Sequence, residues 1–188
     1  TAAATDVGRR RSGNEDCFAV WTADDGKPHA ADTLLVVCDG MGGSNAGEVA
    51  SRMAVDAVLR EFAAAPADDA PTALAHAVQA ANSEVWKYSR THADLNGMGT
   101  TCTVLAVRGG EVLVAHVGDS RAYLVRGQHA RQITTDHSLV AQLVARQQLT
   151  AEEARHDPRR NVVTRSVGVA PDVDVDVVAV GEPLQDRD

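Results

Sequence analysis

The chain has 188 residues, of which 44% are hydrophobic and 23% charged, and its formal net charge at pH 7 is -8. The length suits one domain with a sizeable core, and the negative charge argues against nucleic acid or an anionic membrane surface as the partner. No apolar run is long enough to span a bilayer. The N-terminus lacks a secretory signal and the three cysteines lack CxxC spacing, so we expect reduced thiols and a cytoplasmic protein.

The N-terminal half is predicted to hold two strands followed by two helices. A strand over 17–22 is closed by turn chemistry at 24–28, and the apolar run over 34–38 has the composition of a strand buried on both faces. That run ends in Asp39, and three glycines follow within four residues. Ser44 and Asn45 are candidate caps for a helix over about 47–64, and an amphipathic pattern predicts a second helix over about 71–89.

The C-terminal half is dominated by hairpin signals. Predicted strands over 101–107 and 111–117 flank Arg108-Gly109-Gly110, and two more over 120–126 and 128–133 flank Gly127. Helices are expected over 138–146 and 150–155, the second with a capping box, and the alternating segment 173–177 predicts a strand with one wet face. Sequential hairpins indicate antiparallel pairing, so we predict an α+β fold in which helices flank an antiparallel β-sandwich.

Carboxylates recur at the ends of these predicted strands. Glu15 and Asp16 precede the first strand, Asp39 ends the second, and Asp119 follows the strand over 111–117. Because several strand ends can converge, we expect these side chains to share one site. Carboxylate and carbonyl oxygens are hard ligands that favour magnesium or manganese over zinc or copper.

In chain order, these segments resemble the metal-dependent protein phosphatases (PPM, the type 2C serine/threonine phosphatases), especially their bacterial branch. The resemblance spans nearly the whole chain, and each motif alone is weak. The matching segments are Asp6-Val7-Gly8, Asn14-Glu15-Asp16, Cys38-Asp39-Gly40-Met41-Gly42-Gly43, Gly99-Thr100-Thr101, Val117-Gly118-Asp119-Ser120-Arg121, Thr134-Thr135-Asp136-His137-Ser138-Leu139-Val140 and Val163-Thr164-Arg165-Ser166-Val167-Gly168.

The resemblance implies a role for each matched position. Asp39 corresponds to the carboxylate that bridges two metal ions, and Gly40 to a carbonyl ligand of one of them. Glu15 and Asp16 correspond to the acidic pair at the second ion, and Asp119 to a residue at a third, weaker one. Arg11 corresponds to the arginine that binds the substrate phosphate. The segment over about 138–163 corresponds to a variable flap beside the site.

The function implied is hydrolysis of phosphoserine and phosphothreonine in proteins by a metal-activated water, with two manganese or magnesium ions and a possible third. Such an enzyme needs no cysteine or serine nucleophile. Its substrates are expected to be phosphoproteins, the products of a serine/threonine kinase. The histidine that serves some members as general acid is replaced here by Met41.

The family also carries a second Asp-Gly and a later Asp-Asn pair, and neither occurs downstream of Gly40. We therefore expect residues 1–188 to form a single phosphatase-like domain that is incomplete at its C-terminus, with the last strands of the family's four-layer αββα arrangement truncated. Three interpretations stay open. The chain is a fragment of a full phosphatase, a catalytically impaired pseudophosphatase that binds or regulates phosphoproteins, or a chain whose site is completed by a second chain.

Overall fold

The structure is a computed structural model that describes residues 1–9, 13–23, 31–42, 46–66, 68–181 and 184. Within these residues, strands and helices follow the order expected from the hairpin and helix signals. They are β1 (Asp16–Thr22), β2 (Thr33–Met41), α1 (Ala46–Ala64), α2 (Ala70–Thr91), a 3-10 turn (Ala93–Leu95), β3 (Gly99–Thr100), β4 (Cys102–Arg108), β5 (Glu111–Val117), β6 (Tyr123–Arg126), β7 (His129–Gln132), α3 (Leu139–Ala145), α4 (Ala151–His156) and β8 (Asp176–Ala179).

The strands form one large antiparallel sheet and one separate hairpin. The large sheet has the order β1-β2-β4-β5-β8, with β3 paired to the end of β2, and β6 pairs only with β7. All pairings are antiparallel. The predicted α+β class, an antiparallel sheet with flanking helices, is therefore confirmed.

Helices α1 and α2 cover one face of the large sheet. Their apolar stripes meet the inward side chains of β2 and β4, which gives the main core; Leu34, Val58, Leu74 and Val104 are fully buried there. The stripes have the helical spacing that the sequence showed, since residues three and four apart share a face. This packing holds the ends of β1 and β2 beside the first turn of α1.

The β6–β7 hairpin covers part of the opposite face. A second, smaller core forms there from Val112 and Val114 of β5, with Leu124 of β6 and Ile133 packed against them. The part of this face near β1 stays open: Phe18 is 37% exposed, Val20 44% and Val37 49%. The large sheet therefore has one face covered by helices and one face that is covered only in part.

The prediction that β2 is buried on both faces is wrong. Its residues alternate between buried and accessible positions, and Val37 and Asp39 both lie on the accessible side. An apolar run shows that both faces tolerate apolar contact, but not that both are covered. Because Asp39 is exposed, burial of its carboxylate does not by itself require a cation there.

Other predicted boundaries were close, with one clear shift. The strand expected over 173–177 begins only at Asp176, and the two-residue strand β3 was not predicted. Thr150 and Glu153 form the expected capping box of α4. The proposed caps Ser44 and Asn45 and the turn at 24–28 lie outside the described residues. In the part of the chain that the structure describes, no helix is long and apolar enough to cross a membrane.

Candidate metal and phosphate site

Two carboxylates face each other where β1 and β2 pair. Asp16 lies directly opposite Asp39 in the register of the two strands, and both residues are exposed. Side chains of directly opposed residues share a face of the sheet, with Cβ atoms about 4.5–5.5 Å apart, and like charges in such a pair repel. The pair is thus arranged as it would be to share a cation.

Glu15 approaches from the neighbouring turn and lies against the start of α1. A Cβ atom added to Gly47 would lie 2.8 Å from the Glu15 Oε1 atom, and one added to Gly40 would overlap the Gly47 carbonyl. The Gly40 N–H donates to the Glu15 carbonyl at 3.1 Å. Glycine at positions 40 and 47 therefore lets β2, the Glu15 turn and α1 meet at close range.

Glu15, Asp16 and Asp39 border one small cavity of 180 Å³. The Asn14 side chain orders its rim, because its Oδ1 accepts from the Asp16 N–H at 3.1 Å and its Nδ2 donates to the Thr5 hydroxyl at 2.8 Å. The structure thus brings together three of the predicted site residues. The lining residues are Asp6, Val7, Gly13, Asn14, Glu15, Asp16 and Asp39.

Thr101 joins this cavity to the turn that carries Asp119. Its hydroxyl accepts from the Asp39 N–H at 2.9 Å and lies 2.7 Å from the Ser120 hydroxyl, while its own N–H donates to the Asp39 carbonyl at 2.9 Å. Gly118 packs so tightly on Thr101 that an added Cβ atom would lie 2.6 Å from the threonine side chain. The strand ends that carry Asp39 and Asp119 are therefore coupled through one threonine.

Asp119 borders a separate, larger cleft of 450 Å³ on the side of α3 and α4. This is the region where the flap was expected, and Arg155, Arg160 and Asn161 also line it. Burial raises the pKa of the Asp119 carboxyl, and the nearby Asp136 adds to the rise. A cation at this position would reverse that effect by favouring the charged form.

Arg121, two residues further on, has a structural role. Its guanidinium binds both oxygens of Asp136, with an Nη2 to Oδ2 distance of 2.6 Å and Nε distances of 2.9 and 3.0 Å. Such a forked pair fixes both side chains. It braces the Asp119 turn against the segment that leads into α3.

The donor set fits a hard divalent cation, although it does not make a complete site. Among the described residues, the side-chain atoms that line the 180 Å³ cavity and could bind a metal are carboxylate and amide oxygens, which suit magnesium or manganese. Among the described residues, no group of three or more His, Cys, Asp and Glu side chains is placed to hold a metal ion. Water and further donors would therefore have to complete the coordination shell. Arg11, the predicted phosphate ligand, lies outside the described residues.

The cysteines are poorly placed to act as nucleophiles. Cys38 and Cys102 are fully buried on the helix-facing side of the sheet. A hydrogen bond with Cys102, together with burial, raises the pKa of the Cys38 thiol well above its usual range. The reactive form of a cysteine is the thiolate, which this environment disfavours. A thiol-based phosphatase mechanism therefore finds no support from Cys38 or Cys102.

Sequence reasoning missed the residues that connect the acidic segments. Thr101 was noted only as part of a motif, and Asp176 only as a residue on the wet face of a strand. Both act through hydrogen bonds between segments far apart in the chain, at separations of 62 and 39 residues. The signals in the sequence were the Gly99-Thr100-Thr101 motif for Thr101 and the alternating pattern over 173–177 for Asp176.

An antiparallel sheet with flanking helices and an oxygen-lined site at its strand ends suits a protein that binds a hard divalent cation. The comparisons make this specific, since the protein phosphatase 2C family is matched over residues 8–170. The serine/threonine phosphatase stp of Listeria monocytogenes is 41% identical over 188 residues, which cover 98% of this chain and 72% of that protein. The chain belongs to the protein phosphatase 2C family.

Solved structures agree. Serine/threonine phosphatase Stp1 from Staphylococcus aureus superposes with a TM-score of 0.84 at 37% identity, over 93% of this chain and 68% of that one. The catalytic domain of the serine/threonine protein phosphatase PstP, solved with two manganese ions, gives a TM-score of 0.75 at 33% identity, over 95% of this chain and 71% of that one. The predicted family, and with it serine/threonine protein phosphatase function, is confirmed; the role of each residue is not tested by these likenesses.

Proposed function

We propose that the chain removes phosphate from phosphoserine and phosphothreonine by attack of water at a divalent metal site built on Asp39. The observation that carries this proposal is the facing pair Asp16 and Asp39 above one cavity that Glu15 also borders. Manganese or magnesium suits these ligands, and the manganese-containing neighbour makes manganese the first ion to try.

Bound divalent cations would supply a water of lowered pKa and positive charge next to the phosphoryl oxygens. The residues of the chain hold and orient this chemistry. The Asp39 carboxylate and the Gly40 carbonyl are the proposed ligands at the centre, Asp16 and Glu15 bind or orient water beside them, and Asp119 serves a weaker third ion.

Arg11 is the proposed phosphate ligand. Its planar guanidinium can donate two parallel hydrogen bonds to phosphoryl oxygens, which places the phosphorus for in-line attack and offsets its charge. No covalent phosphoenzyme is required, in keeping with the buried, protonated state of Cys38. The proposed substrates are cytoplasmic proteins that a serine/threonine kinase has phosphorylated.

The test is hydrolysis of a phosphothreonine peptide with added manganese. Asp39→Asn keeps the shape of the side chain but removes its charge, so we expect manganese-dependent turnover to fall by at least about 100-fold. Asp56→Asn, on the exposed surface of α1, is the matched control and should keep wild-type turnover. Undiminished turnover by Asp39→Asn would refute the assigned role of Asp39.

A phosphoprotein-binding module without turnover is the second candidate. Binding of a phosphopeptide with no phosphate release in the presence of manganese would favour it. The family likeness favours the enzyme, and the peptide assay separates the two.

A further inference from the structure

A row of polar side chains, of which Thr103 and His116 are buried, crosses the large sheet next to the proposed metal site. Thr103 of β4, His116 of β5 and Asp176 of β8 are directly opposite one another in register, and Val37 and Phe18 continue the same row. The row lies two residues along the strands from the Asp16–Asp39 pair. His116 is only 1% exposed. Burying polar groups is costly without partners, so their arrangement calls for a physical reason.

His137 lies over this row and connects it to the Asp119 turn. Its ring packs against that of His116 in a tilted arrangement, with centroids 4.8 Å apart and an angle of 34° between the ring planes. Its Nδ1 atom accepts from the Gly118 N–H at 3.0 Å, and its backbone N–H donates to the Gly118 carbonyl at 2.7 Å. One residue therefore satisfies both backbone polar groups of the residue that precedes Asp119.

These contacts fix the proton on the His137 ring. Because Nδ1 accepts from a backbone N–H, the proton of the neutral ring is assigned to Nε2, which lies 3.1 Å from the Asp176 Oδ2 atom and 3.0 Å from Arg165 Nη1. With the proton there, Nε2 donates to Asp176, since Arg165 has no acceptor to offer. Arg165 Nη1 binds the other Asp176 oxygen at 2.6 Å. Burial acts to raise the pKa of Asp176, but the hydrogen bonds from His137 and Arg165 outweigh it and lower that pKa. Asp176 thus stays charged and selects the tautomer.

The turn is held from its other side as well. Gly118 has a φ of +114°, a conformation that L side chains rarely adopt, and it packs on Thr101. The Ser120 hydroxyl lies 2.7 Å from the Thr101 hydroxyl, which accepts from the Asp39 N–H. Asp119 is the residue between these two anchors. The backbone position of Asp119 is therefore held jointly by His137 and Thr101.

We propose that His137 is a positioning residue that holds Asp119 in the orientation for cation binding, and that Asp176 acts on Asp119 through it. This inference rests on the proposed metal role of Asp119 and extends it to residues that do not touch the ion. Partners that orient metal ligands commonly change affinity 10- to 100-fold when removed. The geometry predicts a loss of that size at the ion that Asp119 binds.

The test is a titration of the purified protein with manganese alone, in which free Mn²⁺ is read by electron paramagnetic resonance. The variants are Asp119→Ala, His137→Ala and the two combined. We expect His137→Ala to weaken the Asp119-dependent site by about 10- to 100-fold. It should have no further effect when Asp119→Ala is already present, because the two changes act on one interaction. His129→Ala, exposed on β7, is the matched control and should bind manganese as the wild type does.

Two further variants separate positioning from general stability. His137→Asn places an amide oxygen where Nδ1 accepts, so it should retain part of the lost affinity, whereas His137→Leu should not. Asp176→Asn leaves His137 in place but removes the charge that selects the tautomer, and a smaller loss through Asp119 is expected. Circular dichroism of each variant identifies any that fail to fold. The manganese affinities of the variants that do fold then test the positioning role of His137.

The inference is overturned if His137→Ala and Asp176→Asn leave manganese binding unchanged, or if they weaken it equally with and without Asp119→Ala. If Asp119→Ala itself has no effect on manganese binding, Asp119 is not a metal ligand, and the positioning role proposed for His137 is refuted as well. Failure of the proposed function at Asp39 would show separately, as full turnover by Asp39→Asn.

Discussion

Burial raises the pKa of the Asp119 carboxyl above its ordinary value of 3.8. The protonated form is thus favoured in the folded protein relative to the unfolded chain. Well below pH 3.8 the Asp119 carboxyl is protonated in both the folded and the unfolded protein, so it does not change the free energy of unfolding. As the pH rises from there through the folded pKa, the unfolded chain loses its proton first and stability falls. Above that window the metal-free protein carries the cost of a charged, half-buried carboxylate.

Asp119→Asn should therefore stabilise the metal-free protein at neutral pH. Solvent screens a half-exposed group, so we expect a gain of no more than about 1 kcal/mol in the free energy of unfolding. Urea denaturation in the presence of a chelator measures it. The gain should vanish near pH 3, and added manganese should stabilise the wild type more than the variant. Equal stabilisation of both proteins by manganese would contradict the assigned role of Asp119.

At the scale of elements, the contact between β2 and α1 depends on the absence of a side chain at Gly40. A Cβ atom there would overlap the Gly47 carbonyl and lie 2.7 Å from the Glu15 carbonyl oxygen. Both neighbours are backbone atoms, so neither can move aside cheaply. The first turn of α1 and the Glu15 turn would have to separate.

Gly40→Ala is therefore expected to lower the free energy of unfolding by about 1–3 kcal/mol, the usual cost of overpacking. Urea denaturation followed by circular dichroism measures the loss. Gly13→Ala is the matched control, because nothing lies within 4 Å of its added Cβ atom. Equal denaturation midpoints for Gly40→Ala and the wild type would mean that the strand and helix are not in close contact.

Most elements could be predicted from the sequence because their signals are local. Hairpin glycines and helical periodicity indicated β4 to β7 and both long helices to within a few residues. The burial of β2 could not be predicted, since an apolar run does not show whether a second layer covers it. The alternation in 173–177 signalled a strand, but the residues that actually pair with β5 are those from Asp176 onward.

At the scale of the whole molecule, the fold brings together acidic groups that are far apart in the chain. The β1–β2 register opposes Asp16 and Asp39, and Thr101 couples Asp39 to the Asp119 turn. The sequence indicated the acidic residues and, through the family resemblance, their roles. It did not indicate the hydrogen bonds through Thr101, His137 and Asp176, because side chains that connect distant segments leave no periodic pattern.

The two faces of the large sheet explain where this chemistry lies. The helix-covered face is apolar and holds the buried thiols, whereas the partly covered face carries Asp16, Asp39, His116 and Asp176. A substrate phosphate and a hydrated cation both need access to water, so only the second face suits them. The main hydrophobic core therefore lies on one face of the sheet, and the proposed metal ligands lie on the other.

Crystals of the protein soaked in manganese, with diffraction recorded at the manganese absorption edge, test the central claim most directly. We predict an anomalous difference peak between the Asp39 and Asp16 carboxylates, within coordination distance of Asp39, and its loss in Asp39→Asn crystals. Manganese peaks located only away from Asp39, or an unchanged peak in Asp39→Asn, would contradict a metal site built on that carboxylate.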